Sequence, residues 1–151
     1  MRYFLFCTAL VAAGQSKPNF SGNWILNLQA SDLSAPNINK PDKITIAIQQ
    51  KGDHFKYRWD RYGNGKKAGY DVEVSVGGGP HVSDEAGIIS MEWKGSTLMV
   101  NTLYNPGQDR ESNTAETWTL SEDGKRLTDD VVVHPPQNRA PVHLVRVFDK
   151  Q

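Results

Sequence analysis

The sequence predicts an all-β protein, an up-and-down antiparallel barrel of about 8–10 strands with no helical lid. Three observations carry that expectation. Runs rich in Val, Ile, Thr and aromatic residues alternate with turn clusters at short, regular spacing. No segment of useful length shows the 3.6-residue apolar period of a helix. The chain also opens its first run with Phe20-Ser21-Gly22-Asn23-Trp24 and closes with Val145-Arg146-Val147-Phe148, so a large ring at one end can meet a cation from the other.

The elements follow in order. The first run spans Gly22 to Gln29 and is followed by a polar connector, Ala30 to Asp42, broken by Pro36 and Pro41, with room for a short helical turn near Ser31-Asp32-Leu33. Ile44, Ile46 and Ile48 then share one face of a strand over Lys43 to Gln50. After Lys51-Gly52-Asp53, the run His54 to Asp60 places Phe55, Tyr57 and Trp59 on a single face. Gly63-Asn64-Gly65-Lys66 turns the chain into a run in which Tyr70, Val72, Val74 and Val76 alternate. A loop containing Gly77-Gly78-Gly79-Pro80 precedes Gly87 to Lys94, where Ile89, Met91 and Trp93 face together. Thr97 to Tyr104, Asn113 to Ser121, Arg126 to Val133 and Val142 to Asp149 complete the series. That makes about nine strands, mostly joined by short links, and such a meander manages its edges best by closing. A two-sheet sandwich is the alternative arrangement.

At 151 residues the chain holds a single domain with a core of its own. Lys and Arg number 17, as do Asp and Glu, so there is no electrostatic footprint for nucleic acid or an anionic membrane. Met1 to Gly14 reads as a secretory signal, with a basic start, a short apolar stretch and small residues ahead of Gln15; the competing reading is a first buried strand. The domain then spans 15–151, and the expected location is periplasmic or secreted. No run reaches the roughly 20 apolar residues of a membrane-spanning helix. Cys7, the one cysteine, lies inside the signal, which leaves the mature domain no disulfide or thiolate chemistry.

On Gly22-Asn23-Trp24 in the first strand, the meander, and Arg146 in the last, the chain resembles the calycins, the superfamily that joins lipocalins, fatty-acid-binding proteins and avidins. It looks most like small exported bacterial proteins with lipocalin-like domains. The resemblance implies that Gly22, Trp24 and Arg146 close the barrel, with the arginine packed over the indole. It also implies a second role. Leu144-Val145-Arg146-Val147-Phe148-Asp149-Lys150 resembles the closing strand of fatty-acid-binding proteins, in which an Arg-x-Tyr pair holds a ligand carboxylate. Arg146 matches that arginine, whereas Phe148 stands at the tyrosine position without its hydroxyl. The helical lid of those proteins has no counterpart in Ala30 to Asp42.

Arg146 therefore has two readings, carboxylate binding and barrel closure, and the missing tyrosine favours closure. Tyr57 and Trp59, with Phe55, Tyr70 and Trp93, either line an apolar pocket or simply pack the core, and one sequence does not fix which face of the sheet they occupy. His81 with Asp84 and Glu85 offers at most a weak metal site in a loop; His54, His134 and His143 match no ligand motif. Asp129 and Asp130 are adjacent on a strand and point to opposite faces, so they form no catalytic dyad. Gly77-Gly78-Gly79-Pro80 lacks the lysine and helix of a phosphate loop, and no serine sits in a nucleophile elbow. The expectation is a monomeric, non-enzymatic barrel, without metal or cofactor, that binds a small hydrophobic or amphipathic ligand through Arg146, Phe148, Tyr57 and Trp59. The alternative is an interaction or inhibitor protein with a filled barrel and partner-binding loops.

Overall fold

A computed structural model describes residues 16–36 and 38–151. The expected signal, Cys7 included, lies outside the described residues. Ten antiparallel strands form one sheet: β1 Gly22–Leu26, β2 Lys43–Lys51, β3 His54–Gly63, β4 Lys66–Ser75, β5 His81–Ser83, β6 Gly87–Lys94, β7 Thr97–Tyr104, β8 Ser112–Leu120, β9 Arg126–His134 and β10 Val142–Lys150. Their order across the sheet is β4-β3-β2-β1-β10-β9-β8-β7-β6-β5, a meander in which every strand lies beside its sequence neighbour except at the β1–β10 join. That join turns the sheet into a nearly closed barrel. The seam falls between β4 and β5, which share no ladder among the described residues; Glu73 N–H reaches across it to His81 Nδ1 (3.3 Å), and just past β4 Gly77 N–H donates to the Met91 carbonyl of β6 (2.8 Å).

Alternation sorts the side chains. Ile44, Ile46 and Ile48 on β2, Phe55, Tyr57 and Trp59 on β3, and Val72 and Val74 on β4 are all buried and share the interior. The aromatic face of β3 thus points inward. Between β3 and β4, Asn64 (φ 52°) and Gly65 (φ 70°) both take positive φ, the conformation a two-residue hairpin needs to match strand twist.

One end of the barrel is filled by rings. Phe20, ahead of β1, is fully buried and lies 6.1–6.3 Å from the rings of Phe55, Trp93 and Trp118. Its N–H donates to Gln50 Oε1 (2.8 Å), and its carbonyl accepts from the Trp24 indole (2.9 Å). Lys17 extends the tether: its ammonium sits 2.9 Å from Asp53, which also accepts from the Trp93 indole at 2.8 Å.

Three expectations are corrected. His81 is not in a loop; it begins the short strand β5, too brief to carry a readable period. The connector forms no helical turn at Ser31-Asp32-Leu33; Asp32 and Val145 instead exchange backbone hydrogen bonds at 2.8 and 2.9 Å, resuming the β1 edge beyond a bulge. The third concerns closure. The cation over Trp24 is Lys150, with Nζ 5.3 Å from the ring centroid, because β10 pairs with β1 in the register Trp24↔Lys150. Arg146, four residues earlier, lies elsewhere. Gly22 fits this clasp: its φ is +147°, and a Cβ there would lie 2.5 Å from Lys150 Cε.

Lys150→Ala is expected to lower stability by about 0.5–1 kcal/mol, the size of an exposed cation–π contact. Gly22→Ala, which adds backbone strain to displacement of the lysine, is expected to cost about 1–3 kcal/mol. Urea unfolding followed by tryptophan fluorescence measures both, and an unchanged midpoint for Gly22→Ala would contradict the clasp.

Candidate functional site

β10 points Leu144, Arg146 and Phe148 into the barrel, and the register Arg146↔Asp129 brings an aspartate from β9 alongside the arginine. Arg146 Nε donates to Asp129 Oδ2 at 2.8 Å, and its Nη2 lies 2.6 Å from the same oxygen. A second carboxylate reaches the guanidinium from β8, with Glu116 Oε1 3.1 Å from Nη2. Glu116 Oε2 in turn accepts from the Trp118 indole at 3.0 Å. The guanidinium carbon stands 4.7 Å from the centroid of Trp59, and Phe148 meets the Trp59 ring edge-on at 5.8 Å. Arg146 is thus held by two carboxylates and one indole, and the indole is Trp59 rather than the expected Trp24.

The four expected ligand residues therefore fall in one neighbourhood. Tyr57 packs edge-on against Trp118 at 5.7 Å, Trp59 supports the guanidinium, and Phe148 supports Trp59. Phe148 is fully buried and brings no polar atom. The residues that sequence reasoning missed are Glu116, and Asp129 as a partner of Arg146. For Glu116 a signal exists, since Thr114, Glu116 and Trp118 alternate on β8 and Trp118 is plainly a core residue. For Asp129 and Arg146 the pairing is set by strand register, which local pattern does not contain.

Burial governs the electrostatics. Asp129 is wholly buried, and desolvation pushes its carboxyl well above the usual range; Arg146 opposes that rise and Glu116 adds to it. For Arg146 burial works against the charge, but the carboxylates of Asp129 and Glu116 outweigh it and hold the guanidinium ionised. Burial also raises the hydroxyls of Tyr57, Tyr70 and Tyr104, so all three stay protonated. Two atoms of the cluster have no hydrogen bond of proper geometry among the described residues: Asp129 Oδ1 and Arg146 Nη2.

Above this layer the interior is apolar. Along β9 and β10 the inward pairs run Arg146↔Asp129, Leu144↔Val131 and Val142↔Val133. Val133 and Val142 line a concavity of about 610 Å³, together with Pro36 and Ile38 of the connector and Pro135 and Pro141 of the β9–β10 loop. It lies at the end of the barrel covered by the connector, four residues or about 13 Å along the strands from the Arg146 pair. Of five concavities of about 290–710 Å³ among the described residues, Arg146 lines none. One of about 710 Å³ lies on the outer face of β1–β4, among Gln49, Lys56, Arg58 and Glu73.

The other candidates stand apart. His54 and His143 are outward-facing and bind Glu73 (3.1 Å) and Asp130 (2.9 Å). His81 uses Nδ1 as the acceptor at the seam. Among the described residues, His, Cys, Asp and Glu side chains form no group of three suited to a metal ion. Asp129 faces in and Asp130 out, as alternation requires.

Removing one partner from a buried ion cluster leaves the others uncompensated, so Arg146→Leu is expected to cost about 3–5 kcal/mol in urea unfolding. The pH dependence has a definite sign. Folded Asp129 holds its proton above the ordinary 3.8, so its contribution to stability is complete below 3.8 and is lost as pH rises toward the folded value. Asp129→Asn lacks that dependence, so its stability relative to the parent is lowest in acid and improves toward neutral pH. A deficit that instead grows with pH would show that Asp129 is held ionised.

No protein-family model matches the chain, and no curated protein matches it. Solved structures do. Secretory abundant heat soluble protein 4 from Ramazzottius varieornatus is similar with a TM-score of 0.57 at 16% identity, over 91% of this chain and 99% of that one. A tyrosine-to-phenylalanine mutant of the REP1-NXSQ fatty acid transporter is similar with a TM-score of 0.54 at 12% identity, over 87% of this chain and 98% of that one. At such identities the likeness is one of fold, an antiparallel β-barrel.

Proposed function

We propose that the barrel binds a small hydrophobic or amphipathic molecule, admitted at the Ile38, Val133 and Val142 concavity and oriented by the polar layer around Arg146. One observation carries the reading. A buried cluster of Arg146, Asp129 and Glu116 lies below an apolar concavity, with Asp129 Oδ1 left without a hydrogen-bond partner. Buried polar atoms are ordinarily satisfied, and an interior that keeps a carboxyl oxygen unsatisfied suits a partner supplied from outside. The fatty acid transporter among the similar structures supports the same reading by fold. No catalytic step belongs to it. In this reading the protein is exported through Met1 to Gly14, to the periplasm or beyond, and works as a monomer.

A second reading has its own support. The ring cluster of Phe20, Phe55, Trp93 and Trp118 fills one end, and Arg146 lines none of the five concavities, as a solid barrel with partner-binding loops would have it. Native mass spectrometry of gently purified protein separates the two. Ligand binding predicts a co-purifying small molecule, or a raised melting temperature with at least one of a panel of hydrophobic metabolites. Protein that carries nothing and shifts with nothing would overturn ligand binding in favour of the solid barrel.

A further inference from the structure

We infer that the polar end of the bound molecule is uncharged, an alcohol or amide in kind, and is not a carboxylate. This rests on the binding reading above and specifies its ligand. The basis is a count of charge. An arginine binds a buried carboxylate by donating to it in a side-by-side pair while supplying the balancing charge. Arg146 is already committed on both scores: its Nε and Nη2 lie at 2.8 and 2.6 Å from Asp129, and Nη2 lies 3.1 Å from Glu116.

With Asp129 protonated, the cluster of Arg146, Asp129 and Glu116 is neutral overall; with Asp129 ionised, it carries one net negative charge. In neither state is it positive. A carboxylate entering this layer would leave water and meet no balancing charge, at a cost that apolar contacts along its chain do not remove.

The remaining groups suit a neutral head. Asp129 Oδ1 is a buried carboxyl oxygen with no partner, able to accept from a hydroxyl or amide or, when protonated, to donate to one. Tyr57, Tyr70 and Tyr104 contribute hydroxyls that remain uncharged in the interior and act both as donors and acceptors. Phe148 at the last inward position of β10 adds bulk without a donor. An ammonium head is disfavoured as well, since Arg146 is a fixed cation in the same layer and balances Glu116.

Decan-1-ol, decanoate and decylamine share one chain length and differ at the head, so their affinities isolate it. Binding is read by titration with the tryptophan fluorescence of the intact mature protein, because Trp59 and Trp118 both contact the cluster. The alcohol is expected to bind at least about tenfold more tightly than either charged analogue. Glu116→Gln keeps the side-chain volume and an acceptor for the Trp118 indole while removing a negative charge. It is expected to shift the decanoate-to-decanol ratio toward decanoate by about tenfold, with the parent's circular dichroism spectrum as the check on folding.

Decanoate or decylamine binding as tightly as the alcohol in the parent would overturn the inference. So would an unchanged ratio in Glu116→Gln, which would mean that the alcohol wins on hydrophobicity alone. Failure of all three to bind would remove the binding reading itself, a result distinct from a wrong head group.

Discussion

Everything inside this protein depends on the pairing of its first strand with its last. The other ladders join sequence neighbours and form locally, at little cost in chain entropy. The β1–β10 ladder brings together residues more than a hundred positions apart, and it alone converts a strip into a barrel. Its register is equally consequential. With Trp24 opposite Lys150, the inward positions of β10 are Leu144, Arg146 and Phe148; a slip by one residue would turn Arg146 to solvent and Val145 and Val147 inward. The clasp of Gly22, Trp24 and Lys150 at the end of that ladder therefore fixes the chemistry of a layer two turns of the pleat away.

That layer is costly to keep. Three ionisable side chains share a space with Tyr57, Tyr70 and Tyr104, and an apolar replacement of similar volume would fold at least as well in many proteins. Here the arrangement does two things at once: Arg146 satisfies carboxylates from two neighbouring strands, and its flat guanidinium lies on Trp59, which is itself braced by Phe148. The cation is thus desolvated by an aromatic wall on one side and neutralised by carboxylates on the other. The result is a polar surface with fixed geometry and little net field, whose hydrogen-bonding capacity is not exhausted.

Much of the frame was legible in the sequence because it rests on local pattern. Ile44, Ile46 and Ile48 announce their strand, and so do Phe55, Tyr57 and Trp59, since period two needs no partner to be visible. What depended on a partner was not legible. Arg146 and Lys150 are both cations on the last strand, and choosing which one covers Trp24 requires the register of a distant pair. Asp129 was weighed against its neighbour Asp130, where alternation forbids an alliance, while its real partner stands across the ladder on β10. Glu116 was readable in principle from its place between Thr114 and Trp118. β5 was not: His81-Val82-Ser83 is too short for alternation to register, and it exists because β6 offers it an edge.

The seam beside β5 gives the barrel a mechanical character. Around the rest of its girth the wall is continuous hydrogen-bonded ladder, which resists being stretched. Along β4 it is held by single bonds, from Gly77 just past its end to Met91 of β6 and from the Glu73 amide to His81 of β5. Any change in circumference falls on that line first. The cylinder behaves as a cuff fastened along one side, able to gape by parting a few contacts while each ladder stays whole.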